Sequence, residues 1–345
     1  MSYLERGILE QPEVLERLME GEKSTAEIVA RAIRARAPRF AVLVARGSSD
    51  NAARYGQYLL GAVNGLPVAL ATPSLFTLYR RPPRLADALV IAISQSGQSP
   101  DIVAVVEEGR RQGALTLAVT NDPTSPLAQA AELLIPLHAG AERSVAATKT
   151  YTASLFALGM LSAALAGDAG MFAALQTVPG AVRQVVSSAS DICRASERYR
   201  YMEACVVVSR GYNYATAYEI ALKLKELTYV LAEPYSSADF RHGPVALVEQ
   251  GFPVIAVVPE GAVTAEMEDF LRHLREREAE LVVISAREEA LSLAQTPLPL
   301  PEGIPEWLSP MVAVVPGQLF ALGLTQARGL DPDRPRGLQK VTRTE

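Results

Sequence analysis

The sequence predicts an α/β protein made of two tandem domains, each built around a doubly wound parallel sheet. The first observation behind this prediction is a series of short, continuous apolar runs, which is typical of strands covered on both faces. Helix-like stretches such as residues 101–112 alternate with these runs, as in parallel α/β sheets. In the first half of the chain the runs occupy residues 40–45, 67–72, 88–93, 115–120 and 133–137.

The second observation is that the same order of segments occurs twice. The segment ACVVVSRGYNYATAYE at 204–219 resembles FAVLVARGSSDNAARY at 40–55, and an Arg-Gly pair ends the predicted strand in both. The apolar runs at 253–261 and 280–286 repeat two further runs of the first half. The sequence therefore predicts a tandem duplication of one α/β unit.

The repeat also predicts where the domains begin and end. A helical linker that breaks near Pro179 separates the two domains, because proline interrupts a helix. The C-terminal segment is rich in proline and arginine and is predicted to be an irregular tail. The predicted boundaries are a helical segment at 1–35, a first domain at 36–168, the linker at 169–198, a second domain at 199–330 and the tail at 331–345.

Composition excludes several classes of protein. The chain has 345 residues and a formal net charge of −5 with intermixed signs, so no basic field attracts nucleic acid or anionic lipid. Its two cysteines, Cys193 and Cys205, have no metal-ligand spacing and suit a reducing cytoplasm. The N-terminus does not resemble a signal peptide, and the apolar run at 153–167 is short for a membrane span. We expect a cytoplasmic protein without metal or cofactor.

Two polar loops follow predicted strands, at the end where parallel α/β sheets bind ligands. In ISQSGQSPD at 93–101, hydroxyl and amide side chains surround Gly97, whose lack of a side chain lets an anion approach the backbone. The alternative is that Ser99 simply caps the next helix. In GSSDNAA at 47–53, Ser48 and Ser49 could contact a sugar or its phosphate, or Asp50 could cap a helix. The residues alone leave these alternatives open.

The second half carries a lysine, a carboxylate and a histidine in neighbouring segments. Lys223 and Glu226 are three residues apart and share one face of a predicted helix. They could be a surface ion pair or a catalytic pair. The chain is then predicted to turn through Pro234 and reach His242, which lies between arginine and a Gly-Pro pair. A histidine side chain gains or loses a proton near neutral pH, and this property suits it to sugar-ring opening. His138 and His273 are predicted to be structural or solvated.

These motifs resemble the sugar isomerase (SIS) domain family. ISQSGQSPD is similar to its phosphosugar loop, and the tandem repeat resembles the isomerase half of glucosamine-6-phosphate synthase and the SIS-type glucosamine-6-phosphate deaminases. The resemblance covers nearly the whole chain, including AERSVAATKTYTASL at 141–155, KLKELTYVLAEPYSSADFRHGP at 223–244 and DRPRGLQKVTRTE at 333–345. It implies two flavodoxin-like α/β/α sandwiches and no cofactor.

The resemblance also implies a role for each matching residue. Glu226, next to Lys223, would move a proton between C1 and C2 of the sugar. His242, which in this family comes from the neighbouring subunit, would assist ring opening, so a homodimer is implied. Lys340 matches a lysine that can form an imine with the open-chain ketose. The residues that would hold the sugar phosphate are Ser49, Ser94, Gln95, Ser96 and Ser99.

Several positions depart from the family pattern. Ala147 stands where the synthase has a serine that touches the sugar, Gln98 replaces an acidic residue, and Gln339 replaces a small one. The chain begins at Met1 and goes directly into the isomerase region, so we expect no glutaminase activity. The retained residues Glu226, His242 and Lys340 and the absence of a visible glutaminase favour a glucosamine-6-phosphate deaminase that forms fructose 6-phosphate and ammonia. The SSDNAARY form of the first loop, at 48–55, also resembles deaminase-type members of the family. The alternatives are a synthase-type aldose–ketose isomerase, a fructosamine-phosphate deglycase or a non-catalytic sugar-phosphate sensor.

Overall fold

A computed structural model of the protein describes residues 1–340. By their contacts these residues form two units. The N-terminal unit comprises residues 13–142, 149–177 and 339–340, and the C-terminal unit comprises Met1–Pro12, Arg143–Thr148 and Val178–Leu338. The boundaries inferred from the sequence concern the repeat and stay a prediction. The last five residues of the predicted tail, 341–345, lie outside the described residues.

The N-terminal unit holds a parallel sheet of five strands in the order β2-β1-β3-β4-β5. All five strands were expected from the apolar runs, and their bounds agree within two residues. They are β1 (Phe40–Val44), β2 (Val68–Leu70), β3 (Ala88–Ser94), β4 (Leu115–Thr120) and β5 (Leu133–Pro136). The central strands β3 and β4 are buried along their whole length, which explains their unbroken apolar sequence.

Helices surround this sheet and continue the chain at both ends. α7 is buried over nearly all of its length and is apolar all round, as expected for a core helix. The helices up to residue 175, of which α1 belongs to the C-terminal unit, are α1 (Tyr3–Leu9), α2 (Gln11–Arg36), α3 (Ser48–Asn64), α4 (Ser74–Thr77), α5 (Pro100–Arg111), α6 (Pro126–Ala130), α7 (Lys149–Ala166) and α8 (Ala169–Leu175).

The C-terminal unit holds a second parallel sheet of five strands in the order β10-β9-β8-β6-β7. Read from the other edge, this is the order of the first sheet with each strand number raised by five. The predicted pair of tandem α/β domains with doubly wound parallel sheets is therefore confirmed. The strands are β6 (Ala204–Ser209), β7 (Leu231–Ser236), β8 (Pro253–Val258), β9 (Glu280–Ser285) and β10 (Thr296–Pro299).

The helices of this unit include a long apolar one that the sequence analysis did not single out. α15 has the length and composition of a membrane span, but 89% of its most apolar window is buried inside the protein, as in a core helix. The predicted helix break lies at 176–177, just before Pro179. The helices are α9 (Val178–Ser187), α10 (Ala189–Ser196), α11 (Tyr214–Thr228), α12 (Ser237–Arg241), α13 (Thr264–Glu276), α14 (Glu288–Leu291) and α15 (Ser309–Ala327).

The predicted turn through Pro234 is wrong. Pro234 lies inside β7, which pairs with β6 in parallel register. β7 forms the edge of its sheet, and an edge strand tolerates a residue without an N–H because one of its sides needs no ladder partner.

α11 packs closely against α15. A Cβ atom on Gly317 of α15 would lie 2.3 Å from the Ile220 side chain of α11. A glycine at this position is therefore required for the two helices to approach so closely. This contact fixes the helix that carries Lys223 and Glu226.

Candidate active site

The loop between β3 and α5 has the geometry of an anion cradle. Gly97 has a φ of +63°, and the loop curls around it, with its N–H donating to the Ser94 hydroxyl at 3.1 Å. The Gln98 N–H donates to the Ser96 hydroxyl at 3.3 Å. Ser99 is the N-cap residue of α5, as the alternative expected, but its side chain makes no capping hydrogen bond. In the first turn of α5, Pro100 has no N–H and the Ile102 N–H donates to the Asp101 carboxylate at 2.9 Å. An anion at this loop would therefore be met by the hydroxyl and amide side chains of the loop.

The connection between β4 and α6 makes hydrogen bonds to the β3–α5 loop. The Gly97 carbonyl accepts a hydrogen bond from the Leu127 N–H at 3.1 Å, and the Gln95 carbonyl accepts one from the Asn121 N–H at 3.2 Å. A Cβ atom on Gly97 would lie 2.1 Å from the Ser125 hydroxyl oxygen. These contacts therefore fix the position of the β3–α5 loop relative to the β4–α6 connection.

Replacing Gly97 with alanine is expected to displace the cradle, because the new methyl group collides with Ser125 and the left-handed backbone strains any other residue. We expect a rise of about tenfold or more in the dissociation constant of inorganic phosphate, measured by calorimetric titration. Gly113→Ala is the matched control, since Gly113 also has a positive φ but has nothing within 4 Å of an added Cβ. If both substitutions weakened binding equally, backbone strain alone would explain the effect, without the collision with Ser125.

The neighbouring loop between β1 and α3 lies at the same edge of the sheet, because β1 and β3 are adjacent and parallel. α3 begins at Ser48, so Ser48 and Ser49 form its first turn. Asp50 does not cap this helix and instead pairs with Arg54 at 3.3 Å. Burial raises the pKa of Asp50, although Arg54 and Arg46 oppose this shift.

An ion pair that the sequence analysis missed ties these two loops together. The Arg46 guanidinium donates to the carboxylate of Asp101, with its Nε at 2.8 Å and a terminal nitrogen at 2.7 Å. The Asp101 side chain is completely buried, whereas Arg46 is half exposed. The Arg-Gly pair at the end of the strand was a visible signal, but its partner is 55 residues away.

The corresponding loop of the C-terminal unit is already occupied by a side chain. The Glu306 carboxylate accepts a hydrogen bond from the Ala262 N–H at 2.6 Å, and a Cβ on Gly261 would lie 2.2 Å from it. The serine and glutamine side chains of the first loop have no counterparts in the segment PEGAVT at 259–264. The two repeats therefore differ at the place where the first offers an anion cradle.

In the C-terminal unit, α11 brings three charged side chains together. The Lys223 ammonium lies 2.5 Å from Glu226 Oε2 and 3.5 Å from Glu219 Oε1. Lys223 and Glu219 are fully buried, while the Glu226 side chain keeps 22% of its surface exposed. Burial lowers the pKa of Lys223, but the carboxylates of Glu226 and Glu219 outweigh burial and leave that pKa raised.

This arrangement excludes the alternative of a surface ion pair. Lys223 is a buried ammonium that holds one oxygen of Glu226 in place, and the partly exposed carboxylate can take up or release a proton at its free oxygen. Glu219 was not predicted as a site residue, although it lies four residues before Lys223 and therefore on the same helical face.

The three histidines have different surroundings. His242 is the C-terminal cap that follows α12. It is exposed and precedes Gly243, whose φ of +140° favours glycine. His138 Nε2 lies 2.6 Å from the Glu22 carboxylate, and His273 Nδ1 lies 3.8 Å from that of Glu276. Lys340 is half-buried at the end of the described residues, and Ala147 is half-buried in the segment 143–148. The roles of His242, Lys340 and Ala147 stay predictions.

Neither cysteine has the character of a nucleophile. Burial raises the pKa of Cys193 to about 11 and that of Cys205 to about 12. A reactive cysteine needs a lowered pKa, because the thiolate is the nucleophile. Within residues 1–340, no group of three or more histidine, cysteine or acidic side chains is arranged to hold a metal ion.

Comparison with known proteins gives consistent matches. The profile of the SIS domain matches residues 37–164 and 203–325, one match for each repeat. The glutamine–fructose-6-phosphate aminotransferase (isomerizing) of Thermus thermophilus is 33% identical over 99% of this chain. The chain spans 59% of the length of that relative.

Solved structures agree with these sequence matches. A protein from Silicibacter pomeroyi DSS-3, provisionally described as a phosphosugar isomerase, is 35% identical with a TM-score of 0.86, covering 96% of this chain and 100% of that one. The C-terminal domain of glucosamine-fructose-6-phosphate aminotransferase from Francisella tularensis is 26% identical with a TM-score of 0.88, covering 97% of this chain and 98% of that domain.

Proposed function

We propose, from the premise that this chain belongs to the SIS domain family, that it is a glucosamine-6-phosphate deaminase. It would convert glucosamine 6-phosphate and water to fructose 6-phosphate and ammonia. The proposal rests on the position of the Glu226 carboxylate. It is partly exposed, and its Oε2 lies 2.5 Å from the ammonium of the fully buried Lys223. Such a carboxylate is suited to moving a proton between adjacent carbon atoms.

The phosphate group would bind in the cradle formed by the β3–α5 loop. Its charge would be met by the hydroxyl and amide groups of Ser94, Gln95, Ser96 and Ser99, with Ser48 and Ser49 from the adjacent loop. The protein has a net charge of −5, so a local cradle is the physical means by which it would hold an anion. Ala147 would leave extra room near the sugar.

Proton transfers at the sugar would follow. His242 would help to open the ring and expose the C1 aldehyde. Glu226 would remove the proton from C2 and return it to C1, which converts the aldehyde to an alcohol and the C2 amine to an imine. Lys340 would displace ammonia from C2 by forming its own imine, and water would then release fructose 6-phosphate. The reaction is redox-neutral overall and would need no cofactor.

The GSSDNAARY loop, which resembles the deaminase-type members, supports ammonia release over ammonia capture. We place the reaction in the cytoplasm, where a protein with two free thiols remains reduced.

The test is incubation of the purified protein with glucosamine 6-phosphate while ammonia and fructose 6-phosphate are followed together. We expect the two products to appear in equal amounts. A parallel reaction with fructose 6-phosphate and glutamine should form no glucosamine 6-phosphate. Glutamine-dependent synthesis, or turnover of other hexose phosphates alone, would overturn the proposal.

A second candidate is a synthase-type aldose–ketose isomerase. It is favoured by the 33% identity with the aminotransferase of Thermus thermophilus, which extends over 99% of this chain. The same proton transfer would then serve the interconversion of an aldose and a ketose phosphate. A panel of hexose and fructosamine phosphates, scored for ketose formation without ammonia release, distinguishes this candidate and the deglycase from the deaminase.

Activity is expected to require a homodimer in which His242 acts in the site of the neighbouring subunit. Mixing inactive His242→Asn and Glu226→Gln subunits would then create one site with both groups intact. After random exchange of subunits we expect about a quarter of the wild-type activity to return, since half of the dimers would be mixed. Absence of any recovery after verified subunit exchange would show that His242 acts within its own chain.

A further inference from the structure

Tyr229 occupies an unusual position at the end of the helix that carries Lys223 and Glu226. It is the C-terminal cap of α11 and has a left-handed backbone, with a φ of +62°. Glycine favours this conformation, whereas a tyrosine adopts it only with strain. A strained residue three positions after Glu226 therefore calls for a reason beyond ending the helix.

The side chain of Tyr229 holds the C-terminal tail through Arg336. The tyrosine hydroxyl accepts a hydrogen bond from the Arg336 backbone N–H at 2.9 Å. The Arg336 guanidinium lies over the tyrosine ring, 3.8 Å from its centroid, in a cation–π contact. Both residues belong to the C-terminal unit. The two contacts fix the backbone and the side chain of Arg336 at once.

The tail is anchored a second time three residues earlier. The Asp333 carboxylate accepts hydrogen bonds from the N–H groups of Tyr3 at 2.8 Å and Leu4 at 3.0 Å. These N–H groups belong to the first turn of α1, where a negative charge is favourable. Residues 333–336 are therefore irregular in backbone conformation but attached at two points, unlike a frayed terminus.

The anchor restricts the residues that follow it. Lys340 is four residues beyond Arg336, so its Cα stays within about 14 Å of the Arg336 Cα whatever path the chain takes. Tyr229 is in turn three residues beyond Glu226. The anchored tyrosine thus limits how far the tail lysine can move from the C-terminal end of α11.

We propose that Tyr229 and Arg336 form a clamp that positions Lys340 for imine formation with the substrate. Tyr229 is then a positioning residue, and the inference rests on the proposed function. In this step the neutral Lys340 amine adds to C2 of the sugar imine, and ammonia leaves as the new C=N bond forms. Water later adds to C2, which releases fructose 6-phosphate and regenerates the amine. No electrons enter or leave.

The test is borohydride trapping of fructose 6-phosphate on the full chain, followed by peptide mass analysis. Borohydride reduces the imine to a stable secondary amine, and we expect the wild-type adduct on Lys340. Tyr229→Asn, which tolerates a positive φ, and Arg336→Gln should each lower the initial trapping rate about tenfold, because the lysine loses its orientation. Tyr201→Asn, at an exposed tyrosine of the same unit, should leave it unchanged.

Two further measurements separate positioning from general stability. Amide hydrogen exchange should accelerate in residues 331–340 of Tyr229→Asn, while inhibition by inorganic phosphate stays unchanged. In a Tyr229→Asn/Lys340→Ala double variant, the first substitution should cost no further activity, because both act on the same step.

The results distinguish failure of the proposed function from failure of the clamp. Absence of ammonia release by the wild type contradicts the proposed function itself. Trapping that is absent from wild-type Lys340, or equal in wild type and both clamp variants, overturns the clamp while leaving the deaminase reaction standing. A lower trapping rate accompanied by a proportional loss of phosphate binding would also overturn it, because the defect would then be a general one.

Discussion

Replacing Glu226 with glutamine is expected to lower kcat on glucosamine 6-phosphate about 1,000-fold, the typical contribution of a positioned general base. Glutamine has nearly the same shape as glutamate but cannot accept the C2 proton. The substitution should leave KM nearly unchanged, because the phosphate cradle lies on a different unit. The measurement is the steady-state release of ammonia and fructose 6-phosphate.

The matched control for this variant is Glu276→Gln. Glu276 is also a helical glutamate, but its side chain is 78% exposed and pairs only loosely with His273 at 3.8 Å. It should retain wild-type kinetics. If Glu226→Gln kept more than about a tenth of wild-type kcat, general base catalysis by this carboxylate would be excluded.

Replacing Lys223 with methionine is expected to destabilise the protein by about 3–5 kcal/mol, because it leaves the fully buried Glu219 carboxylate without the lysine ammonium. Urea unfolding of the wild type and the variant measures the difference. The double variant Lys223→Met/Glu219→Gln removes both charges and should recover most of the lost stability. A double variant no more stable than Lys223→Met would contradict this electrostatic account.

The contribution of Lys223 to the free energy of unfolding depends on pH. Burial lowers the pKa of Lys223, but the carboxylates of Glu226 and Glu219 outweigh burial and raise that pKa above its ordinary value of 10.5. A raised pKa means that folding favours the protonated lysine, so this stabilisation is fully present below pH 10.5 and is lost as pH rises through the folded value. The stability difference between wild type and Lys223→Met should therefore be constant from pH 7 to 9.

The fold was predictable because parallel strands covered on both faces leave an unbroken apolar run in the sequence. β4 was expected at residues 115–120 and occupies Leu115–Thr120. The repeated order of segments likewise anticipated two sheets of the same strand order. Pro234 was misassigned because a proline signals a turn locally, whereas the edge position that tolerates it depends on the sheet order.

The candidate site was predictable only in part. Residue types and spacing indicated Lys223, Glu226 and the serine loops. Spacing does not show whether a side chain is buried, and only the burial of Lys223 distinguishes a carboxylate held in place at Glu226 from an ordinary surface ion pair. The contacts of Arg46 with Asp101 and of Tyr229 with Arg336 join residues 55 and 107 positions apart. No local pattern carries such pairings, because they depend on the folded path of the chain.

We propose that Glu226 moves the C2 proton of an amino-sugar phosphate. The most direct test of this proposal is turnover of glucosamine 6-phosphate that carries deuterium at C2, followed by NMR of the fructose 6-phosphate formed. We predict that the wild type removes the deuterium from C2 and delivers it to C1 or to solvent, while Glu226→Gln returns unreacted substrate with its deuterium in place. Loss of the C2 deuterium at the wild-type rate in Glu226→Gln would contradict the account.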